Sequence, residues 1–180
     1  MLTAQQQAFL QAIEGLELQQ VNHLLAEGLN TNLIDSEKGP AVSVWSDGLF
    51  KWWEVICEAY EAGEALSAEQ KQATLQVHLD ILEALIQAEA NFHLWDSEEC
   101  YGPLWDAASA ACVPAVLRLL DHQVETNSKD EEGNTILSSI SDLLFDCEFD
   151  QIDWSQALPE EKETLELLRS RGAKMTKELA

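Results

Sequence analysis

The spacing Val-x-x-Leu-Leu-x-x-Gly-x-x-x-Asn, met at Val21, Leu24, Leu25, Gly28 and Asn32, limits what this chain can fold into more than any other feature. It returns at Val116, Leu119, Leu120, Gln123 and Asn127. Worn copies stand at Leu82, Leu85, Ile86 and Ala90, and at Leu165, Leu168, Gly172 and Ala173. Apolar residues at i, i+3 and i+4 make one stripe of a helix. A glycine just past that stripe suits the left-handed residue that ends a helix. A unit recurring at about 33 residues predicts helix pairs laid side by side instead of a chain wrapped round one core.

The first pair is expected at Phe9-Leu10-Gln11-Ala12-Ile13 and at Leu18 to Glu27. The third opens on Pro103-Leu104-Trp105-Asp106-Ala107-Ala108, with proline at the first helical position and small residues that allow close packing. Pro114 falls in the first turn of its second helix, where a missing N–H is harmless. The second pair opens at Pro40 and holds an insertion of about 45–74. Within it, Leu49 to Ala62 reads as a further amphipathic helix carrying Trp52, Trp53, Ile56 and Tyr60. Ser67-Ala68-Glu69-Gln70 reads as a capping box that starts a long helix ending near Ala88. Trp45, Trp52 and Trp53 are expected to pack the inserted helix onto the stack. The fourth pair begins at Asp130-Glu131-Glu132-Gly133-Asn134-Thr135 and holds a second, acidic and aromatic insertion of about 144–158. Its Trp154 either imitates the phosphate-and-base spacing of nucleic acid or anchors a loop. Pro159 starts a closing helix, and Arg169 in place of the second leucine fits an end repeat whose outer face meets water.

These residues resemble the ankyrin repeat, whose consensus runs Gly-x-Thr-Pro-Leu-His-x-Ala-Ala and then Val-x-x-Leu-Leu-x-x-Gly-Ala-x-x-Asn. Gly102 stands where threonine is expected, Trp105 where histidine is, and Gln123-Val124 in place of Gly-Ala; Gly133 and Thr135 match the consensus turn. The resemblance implies an all-α fold, an ankyrin-like helical solenoid of about four helix-pair repeats with two insertions, forming one domain over 1–180. A helical solenoid of another type is the alternative, because long inserted helices blur the period. In ankyrin-like stacks, the hairpin tips before each first helix and the inner helix faces form the binding surface. Carried onto this chain, that surface takes in Asp35 and Glu37 on one tip, and Glu98, Glu99 and Tyr101 on the next. Trp105, Asp106 and Ser109 lie on or near the adjoining inner helix, and Glu131, Glu132, Asn134 and Asp142 belong to the last pair.

Charge sets the kind of partner. Thirty-three acidic residues face ten Lys and Arg, for a net −23, while a hydrophobic fraction of 46% still suffices for a core. From Leu94 to Asp153, fourteen acidic residues stand against only Arg118 and Lys129, so the negative charge concentrates in the second half. Such a field repels phosphates and anionic lipid and attracts cationic surfaces. No basic stripe is present to release counterions, so no nucleic-acid partner is expected. No segment approaches the ~20 apolar residues of a membrane span. The stretch Leu2-Thr3-Ala4-Gln5-Gln6-Gln7 has neither a basic start nor a long apolar run, so the expected address is cytoplasmic. Cys57, Cys100, Cys112 and Cys147 form no Cys-x-x-Cys pair and are expected as buried thiols.

No catalytic constellation stands out. His23, His78, His93 and His122 are scattered, with His23 and His122 at solvent-side helix positions, and no zinc, nucleophile-elbow or phosphate-loop motif occurs. Asp96-Ser97-Glu98-Glu99 and Asp130-Glu131-Glu132 lack the spacing of a calcium loop. No enzyme, metal or cofactor is expected. Acidic and aromatic residues on neighbouring tips suit a protein partner with a basic surface. Small, very acidic cytoplasmic chains of this kind resemble immunity proteins, among which ankyrin-like members occur. The resemblance implies an inhibitor that binds and neutralises a cognate basic antibacterial toxin. A general ankyrin-repeat scaffold or regulator without a toxin partner is the alternative.

Overall fold

The computed structural model describes residues 2–64, 66–94, 102–130 and 132–179. The chain divides into two compact units, 1–96 and 97–180, with four α-helices in each among the described residues. The first unit runs α1 (Ala4–Glu14), α2 (Leu18–Ala26), a two-residue hairpin of β1 (Ile34–Asp35) and β2 (Gly39–Pro40), α3 (Ala41–Glu61) and α4 (Ala68–Gln87). The hairpin is antiparallel, with Ile34 opposite Pro40 and Asp35 opposite Gly39. The second unit runs α5 (Pro103–Ser109), α6 (Val113–Asp121), α7 (Ile136–Phe145) and α8 (Pro159–Ser170). The fold is thus mostly helical, as expected.

Packing within each unit follows one rule. In the first, α1 pairs with α2 and α3 with α4, while α1 lies against α3 and α2 against α4. In the second, α5 pairs with α6 and α7 with α8, while α5 lies against α7 and α6 against α8. First helices touch first helices, and second helices touch second helices. The motif residues supply these contacts: Val21, Leu24, Leu82, Leu85, Val116, Leu119, Leu165 and Leu168 are all buried.

The helix ends repeat as closely as the stripes. Each helix is followed by a left-handed residue: Leu16, Gly28, Gly63, Glu89, Ala111, Gln123, Asp146 and Gly172 in chain order. After each second helix, a backbone N–H closes onto the motif leucine: Leu29 donates to Leu24 (3.3 Å), Ala90 to Leu85 (3.0 Å), Val124 to Leu119 (3.2 Å) and Ala173 to Leu168 (3.0 Å). Glu89 and Gln123 therefore keep the turn without glycine, although the left-handed conformation costs a residue with a Cβ about 1–2 kcal/mol.

The motif asparagine joins one pair to the next. Asn32 Oδ1 accepts the N–H of Asn91 at 2.7 Å, tying the loop after α2 to the loop after α4. Asn127 does the same after α6, where its Oδ1 accepts the N–H of Lys174 (2.9 Å) and its Nδ2 donates to the Gly172 carbonyl (3.1 Å). Asn127→Ala removes both bonds and is expected to lower stability to urea by about 1–2 kcal/mol. A loss under ~0.3 kcal/mol would show that this stitch is ornamental.

The first insertion is resolved differently from the sequence expectation. Leu49 to Ala62 is no separate helix; it is the continuation of α3, which runs unbroken for 21 residues, and α4 is equally long at 20. The extra chain of the second pair thus lies in two lengthened helices. The reason is local: no proline interrupts α3, and Val44, Trp45, Leu49, Trp52, Trp53 and Ile56 form a continuous buried stripe. Trp45 Nε1 donates to the His78 carbonyl (2.9 Å) and Trp52 Nε1 to Thr74 Oγ1 (3.1 Å), fastening α3 to α4. Gly48, in mid-helix, costs about 0.5–1 kcal/mol relative to alanine. It is kept where α3 meets the His78 side chain, since a Cβ would sit 3.0 Å from His78 Cε1. The capping box at α4 is present, with Gln70 N donating to Ser67 Oγ at 3.2 Å and Ser67 N to Gln70 Oε1 at 2.8 Å.

In the second insertion, Trp154 anchors a loop. Its ring meets Phe145 and Phe149 edge-on, at centroid distances of 6.0 and 5.6 Å, and Lys162 Nζ stands 5.9 Å over it. Arg169 is half-exposed at the end of α8 and grips Glu178, donating from Nη2 to Oε1 at 2.7 Å.

Candidate partner-binding surface

The first hairpin tip is organised by its own aspartate. Asp35 Oδ1 accepts the N–H groups of Glu37 (2.9 Å) and Lys38 (3.1 Å), a local turn that aspartate makes readily. This holds the tip's shape and leaves Glu37 exposed. Lys38 pairs with Glu14 at the end of α1 and holds that carboxyl below the usual range. The tip is therefore of mixed charge.

The expected residues Glu98, Glu99, Tyr101 and Glu131 lie outside the described residues. Trp105 requires a correction. It is 3% exposed and belongs to the core, not to a surface a partner could touch. On α5, Pro103, Leu104, Ala107 and Ala108 are buried beside it. Only Asp106 and Ser109 reach the surface, each half-buried, so the position of Trp105 faces inward.

The remaining expected residues come together in the second unit. Glu132, Asn134 and Asp142 line one groove of about 680 Å³, together with Asp130, Glu148 and Lys177. Asp130 builds the turn above it: Oδ1 accepts the N–H of Asn134 (2.8 Å) and Oδ2 the hydroxyl of Ser139 (3.0 Å). Gly133, at φ +83°, closes that turn, and Lys129 bridges to Thr135 across it. Asp142 is exposed on α7, next to Leu143, whose 65% exposure makes it the most exposed large apolar side chain among the described residues.

The far wall of the groove is the segment after α8. Thr135 Oγ1 donates to the Lys174 carbonyl (2.6 Å), Thr135 N to Thr176 Oγ1 (2.9 Å) and Thr176 N to Ser138 Oγ (2.8 Å). Lys177 is thereby carried to Glu148, with which it pairs, and to Asp150 at 3.3 Å. Both carboxylates raise the pKa of the lysine. Beside them, Arg169 holds the Glu178 carboxyl down at about 2.

Asp130, Glu148 and Lys177 were not among the expected contact residues. Asp130 carried a signal, since an Asp three residues before Gly133 is a turn pattern. Lys177 carried none, because it reaches Glu148 only through the closing of the chain after α8.

Among the described cysteines, Cys112 is a buried thiol whose pKa burial pushes up to about 12, while Cys57 and Cys147 are half-buried. Cys100 lies outside the described residues. His23 and His122 are exposed, as their helix positions predicted. No helix among the described residues is long and apolar enough to cross a membrane. No protein-family model matches the chain, and no curated protein matches it either.

Proposed function

We propose that the chain is a protein-binding module of four ankyrin-type helix pairs, two in each unit, and that it serves as an immunity protein which binds and neutralises a cognate basic antibacterial toxin in the cytoplasm. One observation carries this reading. Glu132, Asn134 and Asp142, picked out by repeat register, line a single groove with the further carboxylates of Asp130 and Glu148. Lys177, between Glu148 and Asp150, makes the ammonium–carboxylate contact that a partner lysine would make there. A toxin acting on nucleic acid needs a cationic cleft for phosphate. An acidic groove competes for that cleft and is drawn to it by long-range attraction.

The test is stopped-flow titration against the product of an adjacent gene. Association should approach about 10⁸ M⁻¹s⁻¹ at low salt and slow as salt screens the field. Absence of binding at micromolar concentration, with no rescue of cells expressing that product, would remove the immunity reading. Weak binding shared among many basic proteins would instead assign a general scaffold.

A further inference from the structure

We infer that the groove of the second unit receives an arginine side chain of the partner, with its aliphatic stem on Leu143 and its guanidinium at Asp142. The inference rests on the protein-partner reading and names the side chain that the groove takes. Two sets of carboxylates face the groove. Lys177 pairs with Glu148 and stands 3.3 Å from Asp150, so an ammonium of the chain itself already serves that set. Glu132 and Asp142, in contrast, are exposed and have no ion-pair partner among the described residues.

The last turn of α7 is built against its own stability. Asp142 and Asp146 stand four residues apart, where like charges on a helix repel. No lysine, arginine or histidine lies in that turn to offset them. Both acids also sit at the helix C-terminus, the negative end of its dipole. Leu143 lies beside them with 65% of its surface exposed, although Leu137 and Ile140 of the same helix are buried. A cation with an apolar stem, laid along this turn, would relieve all three costs at once. Departures from local consistency of this kind concentrate at functional sites.

The chemistry of the groove selects arginine. Asp142 and Glu132 call for a cation, and Leu143, which lines the groove with them, calls for methylenes. Long basic side chains supply both, laying the stem on apolar surface while the head stays polar. A lysine head is strongly hydrated and offers three donors, whereas a guanidinium is weakly hydrated and offers five in a flat fork. Ser139 adds a further acceptor to the same groove: its hydroxyl donates to Asp130 Oδ2 and keeps its lone pairs for an incoming N–H.

n-Propylguanidinium, the arginine side chain alone, tests this on the full chain. Methylguanidinium is the probe without the stem, and n-butylammonium is the lysine side chain. The readouts are the Leu143 methyl and Asp142 carboxyl-carbon resonances. n-Propylguanidinium should shift both saturably and bind about fivefold more tightly than methylguanidinium. It should bind about threefold more tightly than n-butylammonium. Leu143→Ser should erase the advantage of the stem, and Asp142→Asn should weaken both guanidinium probes alike. If circular dichroism shows that Leu143→Ser does not fold, the comparison of probes on the native chain decides. Shifts that miss Leu143 or do not saturate, equal binding of the two guanidinium probes, n-butylammonium binding as tightly as n-propylguanidinium, or a stem advantage surviving in Leu143→Ser would each overturn the inference. None of these results touches the partner reading, which fails instead on absent binding to the adjacent gene's product.

Discussion

Reversing Glu132 and Asp142 to lysine is expected to slow association with a basic partner by about two orders of magnitude at low salt. The two carboxylates stand on the same groove as Asp130 and Glu148. Asp142 is exposed, and its side chain has no hydrogen-bond or ion-pair partner among the described residues. Reversal of Asp142 therefore breaks no contact among the described residues, that of Glu132 removes only a 3.5 Å bond from Asn134 Nδ2, and circular dichroism should stay unchanged. Net charge alone would give a different result, which a control can expose. Glu54 and Glu58 on α3 are also exposed, and reversing them changes the total charge equally. Measured at physiological salt, that pair should slow association only slightly if the groove, and not the net charge, receives the partner. Equal slowing by the two double variants would mean that the whole field steers the partner and the groove has no special part.

The second large effect concerns stability. Leu119→Ala is expected to cost about 3 kcal/mol. Leu117→Ala, two residues away on α6, is expected to cost under ~0.5 kcal/mol. Leu119 is fully buried, whereas Leu117 is 38% exposed. Leu119 also offers the carbonyl that closes the left-handed turn at Gln123. α6 packs against both α5 and α8, so a cavity in its buried stripe weakens the packing of the second unit. Urea unfolding of both variants measures the contrast. Similar losses would mean that the phase of α6, and with it the pairing read from the motif, is wrong.

The motif was legible because helix geometry imposes it. Val21, Leu24, Gly28 and Asn32 do the same jobs as Val116, Leu119, Gln123 and Asn127: two pack, one turns and one stitches. Fixed jobs at fixed spacing leave a trace that a sequence retains. Trp105 left no such trace, since an aromatic on a first helix has the same spacing whether it faces the core or a partner. Only the burial of its neighbours on α5 decides. The separate helix expected over Leu49 to Ala62 is part of α3, because the apolar stripe from Val44 to Ile56 runs on without a break. The groove was half legible: repeat register selects Glu132, Asn134 and Asp142, but Lys177 joins them through hydrogen bonds between residues about forty apart in sequence.

Hydrogen–deuterium exchange on the chain, free and bound to its basic partner, tests most directly whether the acidic groove is the contact. Strong protection over 132–143 and 174–178, with 41–61 unchanged, is the outcome expected if Glu132, Asp142 and their neighbours receive the partner. Protection confined to 41–61, with 132–143 exchanging as in the free chain, would contradict it.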